Sequence, residues 1–369
     1  MRRETCVPRA DWRTRLESLG FAFHTIDGQP YWREDARYVF EAREIDEIEA
    51  ATNELHALCL EAVDRIVRAG RYAELGLDTR AATLVERSWW DREPALYGRM
   101  DLVYDGSAPP RLLEYNADTP TALFEASVAQ WYWLQDVAPD MDQFNAIHEA
   151  LVERWKVWPN VSHVHFAACY DNTEDAVTTD YLLDTCMQAG HRTTALDIEQ
   201  VGWSGRDFID MENNPIERMF KLYPWEWMLA ESFAAHLPDV RLRWIEPAWK
   251  MLLSNKAILP LLWEFFPGHP NLLPASRRRD AIDGMAVRKP CWGREGAGVI
   301  VLDRGDAGPA TDESCIYQAF APLPVYDNRH ALVGSWVVGH TAVGMGIRED
   351  ADRITRNTSC FVPHLFQPA

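Results

Sequence analysis

The chain has 369 residues, of which 47% are apolar, 11% aromatic and 25% charged. That balance describes a folded protein with a large core and excludes disordered and fibrous classes. A formal net charge of −19 repels phosphate backbones and sets nucleic acid aside as a partner, although a local cluster of Lys and Arg with a metal ion still admits a nucleotide.

At the start of the chain, Met1, Arg2 and Arg3 are followed by no apolar stretch, so no signal peptide is expected. No later apolar run approaches membrane-spanning length, and no membrane association is expected. Residues 43–69 predict a helix, since Ile45, Ile48, Leu55, Leu58, Leu60, Val63 and Ile66 recur at helical spacing among acids. Gly70 is its stop. Residues 97–116 predict a β-hairpin turning at Asp105 and Gly106, with Met100, Leu102 and Val103 before the turn and Leu112, Leu113 and Tyr115 after it. A turn over 118–121 opens a helix over 122–136. The run 163–170 is a strand, and a helix over 175–189 and a strand near 193–199 complete an α/β unit. Residues 216–237 read as partly helical, broken at Pro224, and 254–265 as an apolar helix carrying Lys256. Arg277, Arg278 and Arg279, followed by Asp280 and Asp283, read as a solvated face. Short strands follow over 287–290, 299–302, 316–320, 336–338 and 341–347, punctuated by glycine and proline.

The pattern predicts an α+β fold with several mixed or antiparallel sheets and flanking helices. It is not a dinucleotide-binding domain, because no GxGxxG follows a strand in the right place. The seven cysteines are scattered, odd in number and never in CxxC, so neither a zinc ribbon nor a disulfide framework is expected. A reducing cytoplasm is the simplest setting. The sequons at 160–162 and 357–359 are then without a glycosylating environment.

Chemistry concentrates on the hairpin. Side chains alternate along a strand, so Arg99 and Asp101 share one face, as do Glu114 and Asn116. In a symmetric hairpin centred between Ser107 and Ala108, Asp101 lies opposite Glu114 and Arg99 opposite Asn116. Two carboxylates and an amide oxygen then converge beside an arginine. Mg²⁺ takes such hard oxygens and completes its shell with water or nucleotide phosphates. The alternative is an exposed polar strand face with one Arg–Glu pair. Further on, Lys289 precedes Gly293, Arg294, Glu295, Gly296, Ala297 and Gly298. Glycines let backbone N–H groups approach phosphates and lysine adds a compact charge, but the order is not that of a Walker loop, and an ordinary hairpin fits as well.

The run Leu-Leu-Glu-Tyr-Asn-Ala-Asp-Thr-Pro-Thr (112–121) follows Gly-Arg-Met-Asp (98–101). With Lys-Leu-Tyr-Pro-Trp-Glu-Trp (221–227), Asn-Lys-Ala-Ile-Leu-Pro-Leu-Leu-Trp (255–263) and Arg-Lys-Pro-Cys-Trp-Gly-Arg-Glu-Gly-Ala-Gly (288–298), it resembles the glutathionylspermidine and trypanothione synthetase family over nearly the whole chain, in family order. The resemblance implies an ATP-grasp fold in permuted order, with metal ligands before a glycine-rich lid loop. One unit would span 1–369, with approximate lobes over 1–150, 151–250 and 251–369.

By the same resemblance, the cofactors are ATP and Mg²⁺. Asp101, Glu114 and Asn116 match the metal ligands and Arg99 a phosphate-contacting arginine. Lys256 and Lys289 match nucleotide-binding lysines, with Gly293, Arg294, Glu295 and Gly296 in the lid. Gln318 and Phe320 belong to a segment whose backbone would read adenine, or to a plain buried strand. Arg348 matches an arginine that touches the transferred phosphate. Thr119 and Thr121 stand where the family places hydroxyls near the acid substrate, or serve as turn and cap. Glu174, Asp175 and their neighbour Asp171 are candidate amine contacts, and Glu226, between Trp225 and Trp227, could pair with a cation held against aromatics. Charged surface is the alternative for these acids.

The implied reaction is amide formation through an acyl phosphate. Glutathione or another peptide would be the acid, a polyamine the amine, and a homodimer the default assembly. No Cys–His pair stands in thiol-protease placement, so the amidase domain of bifunctional family members is not expected and ligation alone is implied. A nucleotide-binding scaffold without turnover, or a kinase that stops at the carboxyl phosphate, are the rival functions.

Overall fold

The computed structural model describes residues 1–26, 28–159, 162–306 and 314–368. Asn160 and Val161 of the first sequon lie outside them. Tyr97–Val103 is buried along its whole length because it runs inside a six-stranded antiparallel sheet. The order across that sheet is Cys360–Val362, Thr341–Asp350, Arg329–Val338, Tyr97–Val103 and Arg111–Asn116, with Val325–Tyr326 paired beside the third of these. The strands come from both ends of the chain, so the lobes expected over 1–150 and 251–369 share this sheet.

Helix Ala42–Ala69 packs on strands Arg329–Val338 and Thr341–Asp350. Its start is fixed by a capping box between Glu41 and Glu44, and its end by Gly70 in the left-handed region at φ 64°. The apolar stripe read from the sequence is its buried face, and Thr52 adds a buried hydroxyl contact to Ser335 at 2.8 Å.

A second sheet departs from expectation in being wholly parallel. Its order is Arg243–Ile245, Arg218–Leu222, His163–Ala168 and Arg192–Asp197. The predicted α/β unit is there, with helix Thr173–Gln188 between the last two strands. Within the stretch 216–237, read as partly helical and broken at Pro224, residues 218–222 form a strand, and the helix begins only after Pro224 as Trp225–Ala230. A short apolar run buried on both faces carries no period that separates strand from helix.

A third, antiparallel sheet (Ala275–Ser276, Cys315–Ala319, Ala286–Pro290 and Ile300–Leu302) bears the glycine loop between its last two strands. Strands Arg329–Val338 and Thr341–Asp350 are longer than the segments predicted.

Three further expectations change. The helix expected over 254–265 is two helices, Met251–Ser254 and Ile258–Phe265. Asn255 breaks them apart, accepting from the Ala257 N–H at 2.9 Å and donating to the Leu75 carbonyl at 2.7 Å. Lys256 therefore stands in a turn. The helix after the hairpin contains a π-turn, Glu125–Ala129, before Gln130–Val137. Of the three arginines, only Arg278, paired with Asp280, fits a solvated face. Arg277 donates to the Cys315 carbonyl at 3.2 Å, and Arg279 to those of Ile282 and Gly284 at 2.7 Å each. Among the described residues the seven cysteines form no disulfide. Among the described residues no helix is long and apolar enough to cross a membrane.

Two buried ion pairs fasten the hairpin to the parallel sheet. Lys221 Nζ meets Asp118 Oδ1 at 2.7 Å, while Asp118 Oδ2 accepts from the Trp225 N–H at 3.0 Å. Glu246 Oε1 accepts from the N–H groups of Leu96 and Tyr97 at 2.9 and 2.8 Å. Its partner Lys250, at 3.1 Å, donates to the carbonyls of Tyr97 and Ala117 at 2.6 and 2.9 Å. Removing one member of a buried pair strands the other charge. Lys221→Met should thus lower unfolding stability by about 3–5 kcal/mol in urea titration, with much of the loss recovered in the Asp118→Asn, Lys221→Met double variant. A single variant within about 1 kcal/mol of the parent would show that the pair is not structural.

Candidate active site

The hairpin register at the acids is the one its symmetry predicts: Arg99 faces Asn116, Met100 faces Tyr115 and Asp101 faces Glu114. Beyond them the register slips, and Leu102 faces Leu112, which leaves Leu113 as an unpaired bulge residue. The bulge turns Leu113 and Glu114 toward the same cleft and sends Leu112 into the core. The strand Arg111–Asn116 is the outermost of its sheet, and its open edge meets side chains of the third sheet. The Leu113 carbonyl accepts from Lys289 Nζ at 2.9 Å and the Leu112 carbonyl from Gln318 Nε2 at 3.0 Å. Gln318 Oε1 in turn accepts from Lys289 Nζ at 2.7 Å.

The cleft has a volume of about 260 Å³ and brings Arg99, Asp101, Glu114, Asn116, Lys256, Lys289 and Arg348 onto one wall system. Arg99 grips Asp101 with Nε at 2.7 Å and Nη2 at 3.2 Å, and its Nη1 donates to the Thr121 carbonyl at 2.6 Å. Gly334 lies opposite Asp101, where a Cβ would meet Arg99 Cδ at 3.0 Å, so the glycine makes room for the arginine stem. Burial opposes the charge on Arg99, but Asp101 outweighs it and the guanidinium is held more firmly protonated than usual. Lys256 Nζ lies 3.0 Å from Glu114 Oε2 and donates to the Gly293 carbonyl at 2.6 Å.

Burial alone would raise the Glu114 carboxyl, yet the ammonium groups of Lys256 and then Lys289 hold it down at about 2. Lys289 is itself lowered by burial to about 8, against the pull of Glu114. Glu114 is therefore an anion, and Lys289 is a cation that an arriving phosphate would stabilise.

Two carboxylates and an amide suit Mg²⁺, which takes few protein oxygens and fills its shell from water and phosphate. Among the described residues no group of three or more His, Cys, Asp and Glu side chains gathers as a ligand set. The Asn116 amide nitrogen faces Asp101 Oδ2 and Glu114 Oε1 at 3.3 Å each, so offering its oxygen to a cation requires the amide to turn over.

The glycine loop reaches across the cleft. Arg294 Nη1 donates to Thr119 Oγ1 and its Nη2 to Glu226 Oε1, both at 2.8 Å, and the guanidinium lies 5.4 Å from the Trp227 ring centre. Glu226, expected as a substrate contact, is engaged in this structure by Arg294, which also lies beside Trp227. Gly296, at φ 70°, approaches so closely that a Cβ would lie 2.7 Å from the Thr355 carbonyl oxygen, fixing the loop against 354–355. Glu295, Thr121 and Phe320 also line the cleft. The Ala319 and Phe320 N–H groups donate to the carbonyls of Pro274 and Met285 at 2.8 and 3.0 Å, so these two donors are already engaged. Arg348 donates to the carbonyls of Arg356 and Asn357, which places the second sequon at the cleft.

Asp171, Glu174 and Asp175 follow a strand end, where Asn172 caps their helix by accepting from the N–H groups of Glu174 and Asp175 at 3.0 and 3.3 Å. Glu174 and Asp175 line the cleft. Burial, with Glu174 adding to it, raises the Asp175 carboxyl to about 7 despite Arg294. Behind them lies Glu125 of the π-turn, 1% exposed, which accepts from the Tyr31 hydroxyl at 2.6 Å. Burial and then Glu174 raise it to about 7 as well. Leu113, Glu125, the Asp118–Lys221 pair and Arg353, which also lines the cleft, were missed in the sequence. Asp118 and Lys221 both fall within motifs already singled out, which was the one signal for their pairing.

The family model described as "Glutathionylspermidine synthase preATP-grasp" matches residues 3–367. A Haemophilus influenzae protein named for acid–amine ligase activity is 40% identical, with both chains covered in full. The bifunctional glutathionylspermidine synthetase/amidase of Escherichia coli is 26% identical over 95% of this chain and 63% of its own length. The trypanothione synthetase of Crithidia fasciculata is also 26% identical, over 75% of this chain and about half (48%) of its own. Among solved structures, a glutathione synthetase-like effector from Globodera pallida superposes with a TM-score of 0.56 at 9% identity, over 89% of this chain and 88% of its own. That likeness concerns the fold alone.

Glu125 titrates above an ordinary carboxyl, so the fold loses stability as pH rises from the ordinary carboxyl range to about 7, and no further above it. Glu125→Gln keeps an oxygen for Tyr31 and cannot ionise. Its stability relative to the parent should improve by about 1 kcal/mol per pH unit across that window and stay level above. Urea titrations of the two proteins that run parallel at every pH would refute this.

Proposed function

The chain belongs to the glutathionylspermidine synthase family, and on that footing we propose that it is an ATP- and Mg²⁺-dependent ligase of ATP-grasp type. It would join a small-molecule acid such as glutathione or another peptide to an amine of the polyamine class. The observation that carries the proposal is the cross-strand pair of Asp101 and Glu114, with Asn116 beside it, facing Lys256, Lys289, Arg99 and Arg348 in one cleft.

Phosphoryl transfer asks a protein for positioning and charge neutralisation more than for covalent chemistry. Asp101, Glu114 and Asn116 would hold Mg²⁺, which when bound neutralises triphosphate charge. Lys256 and Lys289 take the phosphates from the side of the third sheet, and Arg99 and Arg348 face the group in transfer. An oxygen of the substrate carboxylate attacks the terminal phosphorus, the bond to ADP breaks, and an acyl phosphate remains. The loop over Gly293 and Gly296, latched through Arg294, excludes water from it. The amine nitrogen then attacks the carbonyl carbon, the carbon–oxygen bond to phosphate breaks, and inorganic phosphate leaves. Thr119 and Thr121 border the acid, while Glu174 and Asp175 hold the amine. With a carboxyl at about 7, Asp175 takes the proton that the nitrogen sheds.

ADP release with Mg²⁺ and ATP should require both an acid and an amine, with glutathione and spermidine as the first pair tried and mass spectrometry of the amide as the check. Release with acid alone would make the protein a carboxyl kinase, and nucleotide binding without release across a broad panel would make it a scaffold. Asp101→Asn should lower turnover on the order of a thousandfold. Because the ionised form of Asp175 accepts the proton, the amine-dependent rate should climb as pH rises through about 7. Asp175→Asn should flatten that limb, and an unchanged limb would remove Asp175 from proton transfer.

A further inference from the structure

A second cavity, of about 460 Å³, shares no lining residue with the cleft. Its walls are aromatic: Trp131 and Tyr132 come from helix Gln130–Val137 and Tyr181 from helix Thr173–Gln188. Trp131 and Tyr132 are 40% and 49% exposed, unusual for two adjacent large rings, whereas Tyr181 is buried. Glu149, on helix Ile147–Trp155, and Asp184 supply carboxylates from two helices packed against each other, and the lining contains no Lys or Arg.

The polar groups are tied into an order. Gln188 Nε2 donates to Asp184 Oδ2 at 2.7 Å, and Gln188 Oε1 stands 3.2 Å from His148 Nε2. An amide oxygen can only accept, so His148 Nε2 carries a proton. His148 Nδ1 lies 3.1 Å from the Tyr181 hydroxyl, which fixes the phenol against the cavity wall. Asp184 is thereby held in place before any ligand arrives.

Carboxylates without a basic partner repel anions, and aromatic faces attract alkylammonium groups by cation–π interaction. Carboxylates and aromatic faces lining one cavity match ammonium groups joined by methylenes. We propose that this cavity is a binding site for a linear diamine or polyamine, separate from the cleft. Helix Thr173–Gln188 joins the two, with Glu174 and Asp175 at its first turn in the cleft and Asp184 near its last turn in the cavity. The site stands on its own geometry and does not depend on the ligase reaction.

Equilibrium dialysis with radiolabelled spermidine, in roughly 0.15 M salt, tests it. The rival is diffuse attraction to the net charge of −19, which draws on 56 acidic side chains and changes only marginally when two are neutralised. Saturable binding that persists in Asp175→Asn and weakens at least tenfold in the Glu149→Gln, Asp184→Asn double variant would establish the site. Both replaced residues are exposed, and an unchanged thermal melt confirms that the double variant folds. A spermidine-induced fluorescence change that disappears in Trp131→Phe would locate it independently. Equal binding by the parent and the double variant, or complete displacement by a few millimolar excess of Mg²⁺ alone, would overturn the proposal.

Discussion

Asp101 and Glu114 face each other across two neighbouring strands, and two anions that close do not share a face unless positive charge surrounds them. The protein supplies it from three places in the chain: Arg99 from the same strand, Lys256 from a turn between helices, and Lys289 from the third sheet. Each cation is also bound to backbone carbonyls, of Thr121, Gly293 and Leu113 respectively. Neutralising the acid pair and holding the sheets together are therefore one set of contacts. The buried pairs Asp118–Lys221 and Glu246–Lys250 repeat the device one layer down, anchoring both ends of the hairpin to the parallel sheet.

Much of the site was legible because strand geometry is rigid. Once the hairpin was centred between Ser107 and Ala108, its symmetry put Asp101 opposite Glu114 and Arg99 opposite Asn116. The long amphipathic helix was equally readable, with its stripe, its acid cap and its glycine stop. Residues 218–222 were not, because a strand covered on both faces loses the alternation that would reveal it. Lys256 looked helical because apolar residues continue on both sides of it, and only the side-chain bonds of Asn255 show the break. Arg277 and Arg279 looked solvated beside acids, but their carbonyl partners come from loops that local sequence cannot bring near. Leu113 was invisible for a different reason: a bulge is a property of two strands together.

Arg294 joins the two halves of the chemistry. It sits in the glycine loop expected to cover phosphates, yet its hydrogen bonds run to Thr119 and Glu226, on the side expected to hold the organic substrates. A substrate that takes Thr119 or Glu226 for itself must compete with that arginine or recruit it. On the proposed function, the position of the loop and the occupancy of the substrate side would be coupled through this one guanidinium.

The unpaired Leu113 also bears on how such a chain can change length over generations. The residues on either side of it already face their ladder partners, so losing this one codon would leave every neighbouring pair in place and a more regular hairpin behind. The shortened protein would lack the carbonyl that Lys289 holds and one apolar residue of the cleft wall. An irregularity that the ladder itself does not need thus supplies a contact to the third sheet and a piece of the cleft wall.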